Sequence, residues 1–293
     1  MDYRFHLRKG GKKLICPACG DKRKTFVPYV DVNNNIVDIN KYGRCERINN
    51  CGYTCYPRTN GDKWEWEIMQ RSVIVKPKPV EYVSKTIVEA TFHNFKHNPF
   101  FMFLARTFGM ETAYELQAKY NIGTATNGGT IFWQQDKDDN FRTGKVIYYN
   151  PTGKRNHDRK SWFVHSKISP DFVYQQCFFG LHLADETKPI ALCESEKTAV
   201  MMSVFQPEFN WLASGGSEML NNIRLSELPR LDKVFADNGQ TEKWEMKTRN
   251  FDGRKMDASV DNAVADGLIP PGSDVLDLVL ELKKPKVPNQ LNN

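Results

Sequence analysis

Apolar and polar positions follow three rhythms along the chain. In the first 60 residues they form short stretches, and residues 25–32 and 36–41 read as two strands flanking Asn33, Asn34 and Asn35. Residues 61–90 read as a connector, because Lys76-Pro77-Lys78-Pro79 can neither propagate a helix nor sit in a central strand. From residue 91 the pattern is mixed. Asn98-Pro99 followed by Phe100, Phe101, Phe103, Leu104 and Phe108 predicts an amphipathic helix with proline in its first turn, and residues 111–119 predict a second. A hairpin follows, with arms at 130–134 and 144–149 around a polar turn at 136–140. From Lys188 onward the order is strand, helix, strand, helix, strand, with strands at 188–193, 210–213 and 231–236 and a helix at 198–205. The expected class is α/β (α+β overall), with an open parallel sheet in the C-terminal part. No internal repeat is present.

Composition narrows the class. The chain has 293 residues, 40% hydrophobic and 26% charged, which excludes disordered, collagenous and coiled-coil types. No apolar run approaches the ~18 residues of a membrane helix, and the N-terminus shows no secretory signal. A cytoplasmic protein with no membrane partner is expected. Charge is uneven: residues 1–90 carry 17 Lys and Arg against 10 Asp and Glu, and the remainder 24 against 25. A basic module joined to a near-neutral body suggests that the module meets a polyanion.

Five of the seven cysteines lie between positions 16 and 55. Cys16-Pro17-Ala18-Cys19-Gly20 has the spacing of a zinc knuckle, and Cys45 and Cys51 supply a second pair beyond the predicted hairpin. Knuckle, hairpin, knuckle is the layout of a zinc ribbon with four thiolates and a structural Zn²⁺. Cys55 competes with Cys51 for one ligand place. Arg23, Lys24, Arg44 and Arg47 lie beside the knuckles, with Phe26, Tyr29 and Tyr42 between them. Aromatics among cations suit single-stranded nucleic acid, with at least one of those rings expected to serve the ribbon's small core.

Each strand of the C-terminal part ends in a polar or glycine-rich tip: Glu194 after the first, Gly215-Gly216 after the second, Asp237 after the third. Open α/β sheets bind ligands at such edges. Paired carboxylates there would bind Mg²⁺ or Mn²⁺, and the glycines would let backbone N–H groups approach a phosphate. On pattern alone, Glu194 reads equally well as a helix cap and Asp237 as a turn residue.

The order of parts resembles bacterial DnaG-type primases, and the last module looks like a Toprim domain. Leu192-Cys193-Glu194 matches that family's strand ending in Glu, Gly215 or Gly216 its glycine, and Asp237 the first Asp of its Asp-x-Asp. Tyr120 to Gly123 and the following hairpin look like the first part of a primase core. The nearest likeness is to zinc-ribbon/Toprim primase-like proteins carried by mobile elements of Bacteroidetes-type bacteria. It implies four regions: a zinc ribbon at 1–60, a linker at 61–90, a primase-like core segment at 91–187 and a Toprim-like domain at 188–285.

The resemblance implies a DNA primase that binds single-stranded DNA through its ribbon and joins nucleoside triphosphates at Glu194 and Asp237, with a replicative helicase or mobile-element protein as possible partner. Lys197, Lys145 and Arg142 would neutralise phosphate charge, and Lys154, Arg155, Arg159 and Lys160 form a further basic loop. One departure stands out: the second Asp of Asp-x-Asp is Gly239, with Asn238, Glu242, Asp252 and Asp257 as substitutes at other positions. A non-catalytic single-stranded DNA binder with a degenerate Toprim domain is therefore the alternative. A Toprim nuclease comes third.

Overall fold

A computed structural model describes residues 4–47, 51–57, 79–185 and 187–284. Most of the proposed linker, residues 61–78, and the Asn- and Pro-flecked tail lie outside the described residues. The chain divides into two compact units, Met1–Pro79 and Val80–Asn293.

The first unit is a four-stranded antiparallel sheet in chain order: β1 Phe5–Leu7, β2 Phe26–Asp31, β3 Gly43–Cys45 and β4 Thr54–Cys55. Along β2 every second residue is buried, as a half-buried strand requires. Gly43 stands against the Phe26 ring, where a β-carbon would come within 2.3 Å of the ring edge. The second arm of the hairpin therefore differs from the sequence expectation. Ile36 makes only an isolated bridge to Val30, and strand pairing with β2 begins at Gly43. Asp38 explains this: its side chain accepts from Asn40 N at 2.9 Å and its carbonyl from Tyr42 N at 3.1 Å, turning the chain where an extended arm is expected. Ile36, Val37 and Ile39 stay exposed as a result.

The second unit opens with three helices, α1 Lys85–Glu89, α2 Pro99–Phe108 and α3 Met110–Tyr120. Asn98 caps α2, accepting from Phe100 N and Phe101 N at 3.1 and 3.2 Å. It is fully buried and also bonds Gly123, Thr124 and Thr130, so one cap ties the helix to the sheet beside it. That sheet is antiparallel: β5 Ile122–Thr124, β6 Thr130–Gln135, β7 Phe141–Ile147 and β8 Trp162–Phe163, followed by the short α4 His165–Ile168. All six residues of β6 are buried because the strand has a core on each face. Phe132 enters a large cluster with Phe100, Tyr120 and Trp211, whereas Ile131 and Trp133 pack with Val88 and Val146.

The chain then alternates: β9 Ile190–Cys193, α5 Glu196–Phe205, β10 Asn210–Ala213, α6 Asn222–Leu225, β11 Lys233–Val234, α7 Thr241–Thr248, β12 Lys255–Met256, α8 Ser259–Ala265 and α9 Val275–Leu282. These four strands are all parallel, in the order β10-β9-β11-β12. The continuous apolar runs of β9 and β10 follow from burial on both faces: Ala191, Cys193 and Trp211 join the large cluster, and Ile190, Leu192 and Leu212 a second one. Because the large cluster also holds Phe100, Phe132 and Phe179, residues 91–187 and 188–285 share one core. The fold is mixed α/β with antiparallel sheets and one parallel sheet. No described helix is long and apolar enough to cross a membrane.

Candidate functional site

Among the described residues the buried hydrophobic side chains of the first unit are Cys16, Phe26, Val30 and Cys45, too little to hold about 50 residues together without a metal or a covalent staple. The sulfurs of Cys16, Cys19, Cys45 and Cys51 lie within 4.8 Å of one another. A tetrahedral zinc with Zn–S bonds of ~2.3 Å has S···S edges of about 3.8 Å, and the Cys16–Cys51 separation is 3.8 Å. These residues fit Zn²⁺. Gly20 and Gly52, each following the second cysteine of its knuckle, both take a left-handed conformation. Cys55 lies on β4 and is not among the four converging sulfurs. The Thr25 hydroxyl lies 3.4 Å from the Cys45 sulfur and the Arg47 guanidinium 3.9 Å from Cys19, contacts that favour thiolates.

Two of the ribbon's expected nucleic-acid contacts already have partners. Arg23 and Arg47 both pair with Asp21 at 2.8 Å, which holds that carboxyl well below the usual carboxylate range. Lys24 and Arg44 are exposed and make no ion pair with a described residue.

Glu194 and Asp237 follow adjacent parallel strands, β9 and β11, and so meet at the carboxyl edge of the sheet. Burial raises the pKa of Glu194, against the opposing pull of the Ser217 backbone N–H and of Lys145 and Lys243. Asp237 is pushed up to about 8, first by burial, then by the charges of Glu194, Asp274 and Asp277. Asp274 is the N-cap of α9, in a capping box with Asp277, and burial raises its pKa too. Thr198 on α5 donates its hydroxyl to Asp274. Asp274 was not expected from sequence; its only local signal is that of a helix cap before an apolar run.

Gly239 takes a left-handed conformation, φ +78°, with open space around its α-carbon. An aspartate there would be strained by the turn itself. Asp261 on α8 fastens the loop, accepting from Asn238 Nδ2, Gly239 N and Thr241 Oγ1. Of the four substitutes for the missing aspartate, Asn238 is engaged with Asp261 and Gly272, Asp257 pairs with Lys233 at 2.8 Å, and Glu242 and Asp252 are exposed. Among the described residues the four cysteines are the set of three or more ligating groups that converge within 4.8 Å.

The loop after β10 is laced to this edge. Gly215 N donates to the Glu194 carbonyl at 2.8 Å, so of the two glycines Gly216 is the one whose N–H stays clear of that bond. Gly215 is φ +78°, and a β-carbon on it would come within 2.9 Å of a Glu196 oxygen. Lys145 on β7 crosses from the antiparallel sheet to donate to Glu196 at 2.9 Å and to the Gly215 carbonyl at 2.7 Å. Lys197 donates to the Gly153 carbonyl at 2.9 Å and lies over the Phe103 ring; burial lowers its pKa. Arg142 is taken by Asp136 and Glu227. Arg159 lies 3.6 Å over the Tyr148 ring, Arg155 donates to Ser161, and Lys154 and Lys160 are exposed.

The Lys145–Glu196 pair is 12% and 2% exposed. Lys145→Met leaves a carboxylate buried without its cation, and a loss of ~3–5 kcal/mol in urea unfolding is expected. Adding Glu196→Gln should return part of that loss. A change below about 1 kcal/mol would mean that solvent screens the pair.

Two family models match the chain. Residues 98–236 match the Domain of unknown function (DUF6371), and residues 3–65 match a zinc beta-ribbon finger. No curated protein matches. Among solved structures the chain is similar to the primase fragment of the bacteriophage T7 primase-helicase protein, at 13% identity and a TM-score of 0.39, covering 87% of this chain and 95% of that one. It is also similar to the zinc binding and RNA polymerase domains of the Aquifex aeolicus primase, at 13% identity and TM-score 0.36, covering 89% and 77%. The DnaG catalytic core matches at 14% identity and TM-score 0.36, covering 61% and 71%. All three are primase fragments.

Proposed function

We propose that the protein is a DNA primase-like nucleotidyltransferase whose ribbon binds single-stranded DNA and whose parallel-sheet edge binds nucleoside triphosphates with a divalent cation. The observation that carries the reading is the partly buried acidic group at that edge. Asp237 is crowded by Glu194 and Asp274, and no lysine or arginine among the described residues is bonded to its carboxylate. Carboxylates held together in this way fit a hard cation with oxygen ligands. Glu194 and Asp237 would hold Mg²⁺ or Mn²⁺, which supplies neutralisation of the triphosphate charge.

The chain's own residues do the rest by position and charge. Lys145 braces the Gly215 carbonyl and so sets the loop beside Glu194. Gly216 leaves backbone open to an anion, and Lys197, Lys154 and Arg155 bring positive charge to the same side of the unit. Sequence resemblance adds the Toprim assignment and the link to mobile elements, with a helicase as possible partner. Gly239, standing where the second acid is expected, favours a second reading: a single-stranded DNA binder that has lost catalysis.

Primer synthesis on single-stranded DNA separates the two. With labelled nucleotides and Mg²⁺ or Mn²⁺, the protein should yield short products that disappear with Glu194→Gln and with Asp237→Asn. No product, with DNA binding intact in all three proteins, selects the non-catalytic binder.

A further inference from the structure

We infer that the loop of residues 8–13 forms a pocket on the ribbon that seats a backbone phosphate of single-stranded nucleic acid; this rests on the reading of the ribbon as the nucleic-acid-binding unit. The loop is tied to one strand at both ends: Arg8 N donates to the Pro28 carbonyl at 3.0 Å, and Leu14 exchanges two hydrogen bonds with Phe26 at 2.9 Å. Between these ties it arches over Val27, whose neighbour across the sheet is Arg44 on β3. The result is a cavity of about 340 Å³ floored by Leu7 and Val27, within the ~300–1,000 Å³ range of ligand clefts.

Its walls are cationic. Arg8, Lys9, Lys13 and Arg44 line it against a single carboxylate, Glu46, which is paired with Lys13 at 2.5 Å. Lys9 and Arg44 have no ion-pair partner among the described residues. Arg8 donates to the Lys12 carbonyl, while its Nε is buried without a hydrogen-bond partner among the described residues. Gly10 and Gly11 are both left-handed, at φ +77° and +80°; a β-carbon on Gly10 would meet nothing within 4 Å, and one on Gly11 would make ordinary contact with the Arg8 guanidinium at 3.4 Å. The positive φ at both positions, more than any lack of space, suits glycine, and it leaves the backbone of the loop open.

Several fixed cations around exposed backbone suit an oxyanion. The lining contains no aromatic ring, so it has no platform for a base; it reads charge, not sequence. A magnesium-carried triphosphate would need free carboxylates for its cation, and the single one here is committed to Lys13. A phosphodiester, with one negative charge and no metal, matches this lining.

The test is salt-dependent binding of the full-length, zinc-loaded protein to fluorescent oligothymidylate, read by anisotropy. Lys9→Gln with Arg44→Gln removes two phosphate contacts. It should flatten the slope of log K against log salt by about 1.4 and weaken binding on the order of tenfold at moderate salt. Lys22→Gln with Lys41→Gln removes the same charge from exposed positions elsewhere on the ribbon, and should change the slope by much less. Unchanged zinc content shows that each variant keeps its ribbon. Equal losses in both double variants, or none in the pocket variant, overturn the pocket while leaving the ribbon as a nucleic-acid binder. Displacement of the oligonucleotide by ATP at low occupancy reassigns the pocket to the nucleotide and overturns it too. Failure of the unaltered protein to bind any single strand overturns the reading of the ribbon, and the pocket with it.

Discussion

Cys45→Ser is expected to release the zinc and unfold the ribbon. Structural zinc contributes about 10–16 kcal/mol to folding in comparable small domains. The small buried core described for this unit cannot replace that. Metal analysis should fall from one zinc per chain to none, and amide protection across residues 4–57 should vanish. Residues 80–284 have clusters of their own and should keep their protection. Cys55→Ser is the companion experiment, since Cys55 stands outside the converging sulfurs, and it should leave the zinc in place. Zinc lost with Cys55→Ser and kept with Cys51→Ser would reverse the ligand assignment. Acid should also strip the metal, because each ligand must be deprotonated to bind.

Asp237→Asn should make the metal-free protein more stable at neutral and alkaline pH. The folded-state pKa of Asp237 is raised to about 8, so between about pH 4 and pH 8 the folded chain holds a proton that the unfolded chain has released. Stability contributed by this group therefore falls as pH rises through that window, and the penalty is complete above the folded pKa. Removing the charge should restore on the order of 5 kcal/mol at pH 8.5 and little at pH 4, measured by thermal or urea unfolding. Mg²⁺ should act in the opposite sense. It competes with the proton, so its stabilisation of the unaltered protein should grow with pH and be lost in Asp237→Asn. Magnesium stabilisation that persists in the variant, or that does not change with pH, would take Asp237 out of the cation site.

Much of the fold was legible because its signals are local. Asn98-Pro99 before a run of phenylalanines specifies a capped helix start, and the structure begins α2 at Pro99. The apolar run before Glu194 and the Asn210–Ala213 stretch became neighbouring parallel strands with matched registers. The strand expected over 36–41 failed for an equally local reason. Asp38 offers backbone groups a side-chain partner, and a pattern of hydrophobic residues does not register that competition.

The site was legible to the extent that its members mark the ends of elements. Glu194, Gly215 and Asp237 stand at strand ends, and parallel pairing of β9 with β10 and β11 brings such ends to one edge. Asp274 was not legible as part of that edge. It lies 37 positions beyond Asp237, and only the packing of α9 on α5 carries it there, with Thr198 as the contact. Lys145 and Arg142 show the same limit from the other direction. Both read as free cations on a hairpin, yet folding seats one on Glu196 and the other between Asp136 and Glu227.

By itself, then, the sequence determined the spacing of thiols and acids, the periodicity of strands and helices, and the surplus of positive charge in the first 90 residues. Tertiary structure decided which groups of opposite charge are spent on each other, which acids are forced together, and whether Cys51 or Cys55 faces the other sulfurs. The physical reason is range. Periodicity and capping act over about four residues along the chain, whereas Coulomb interactions, burial and ligation depend on distances in space that only the packed cores set.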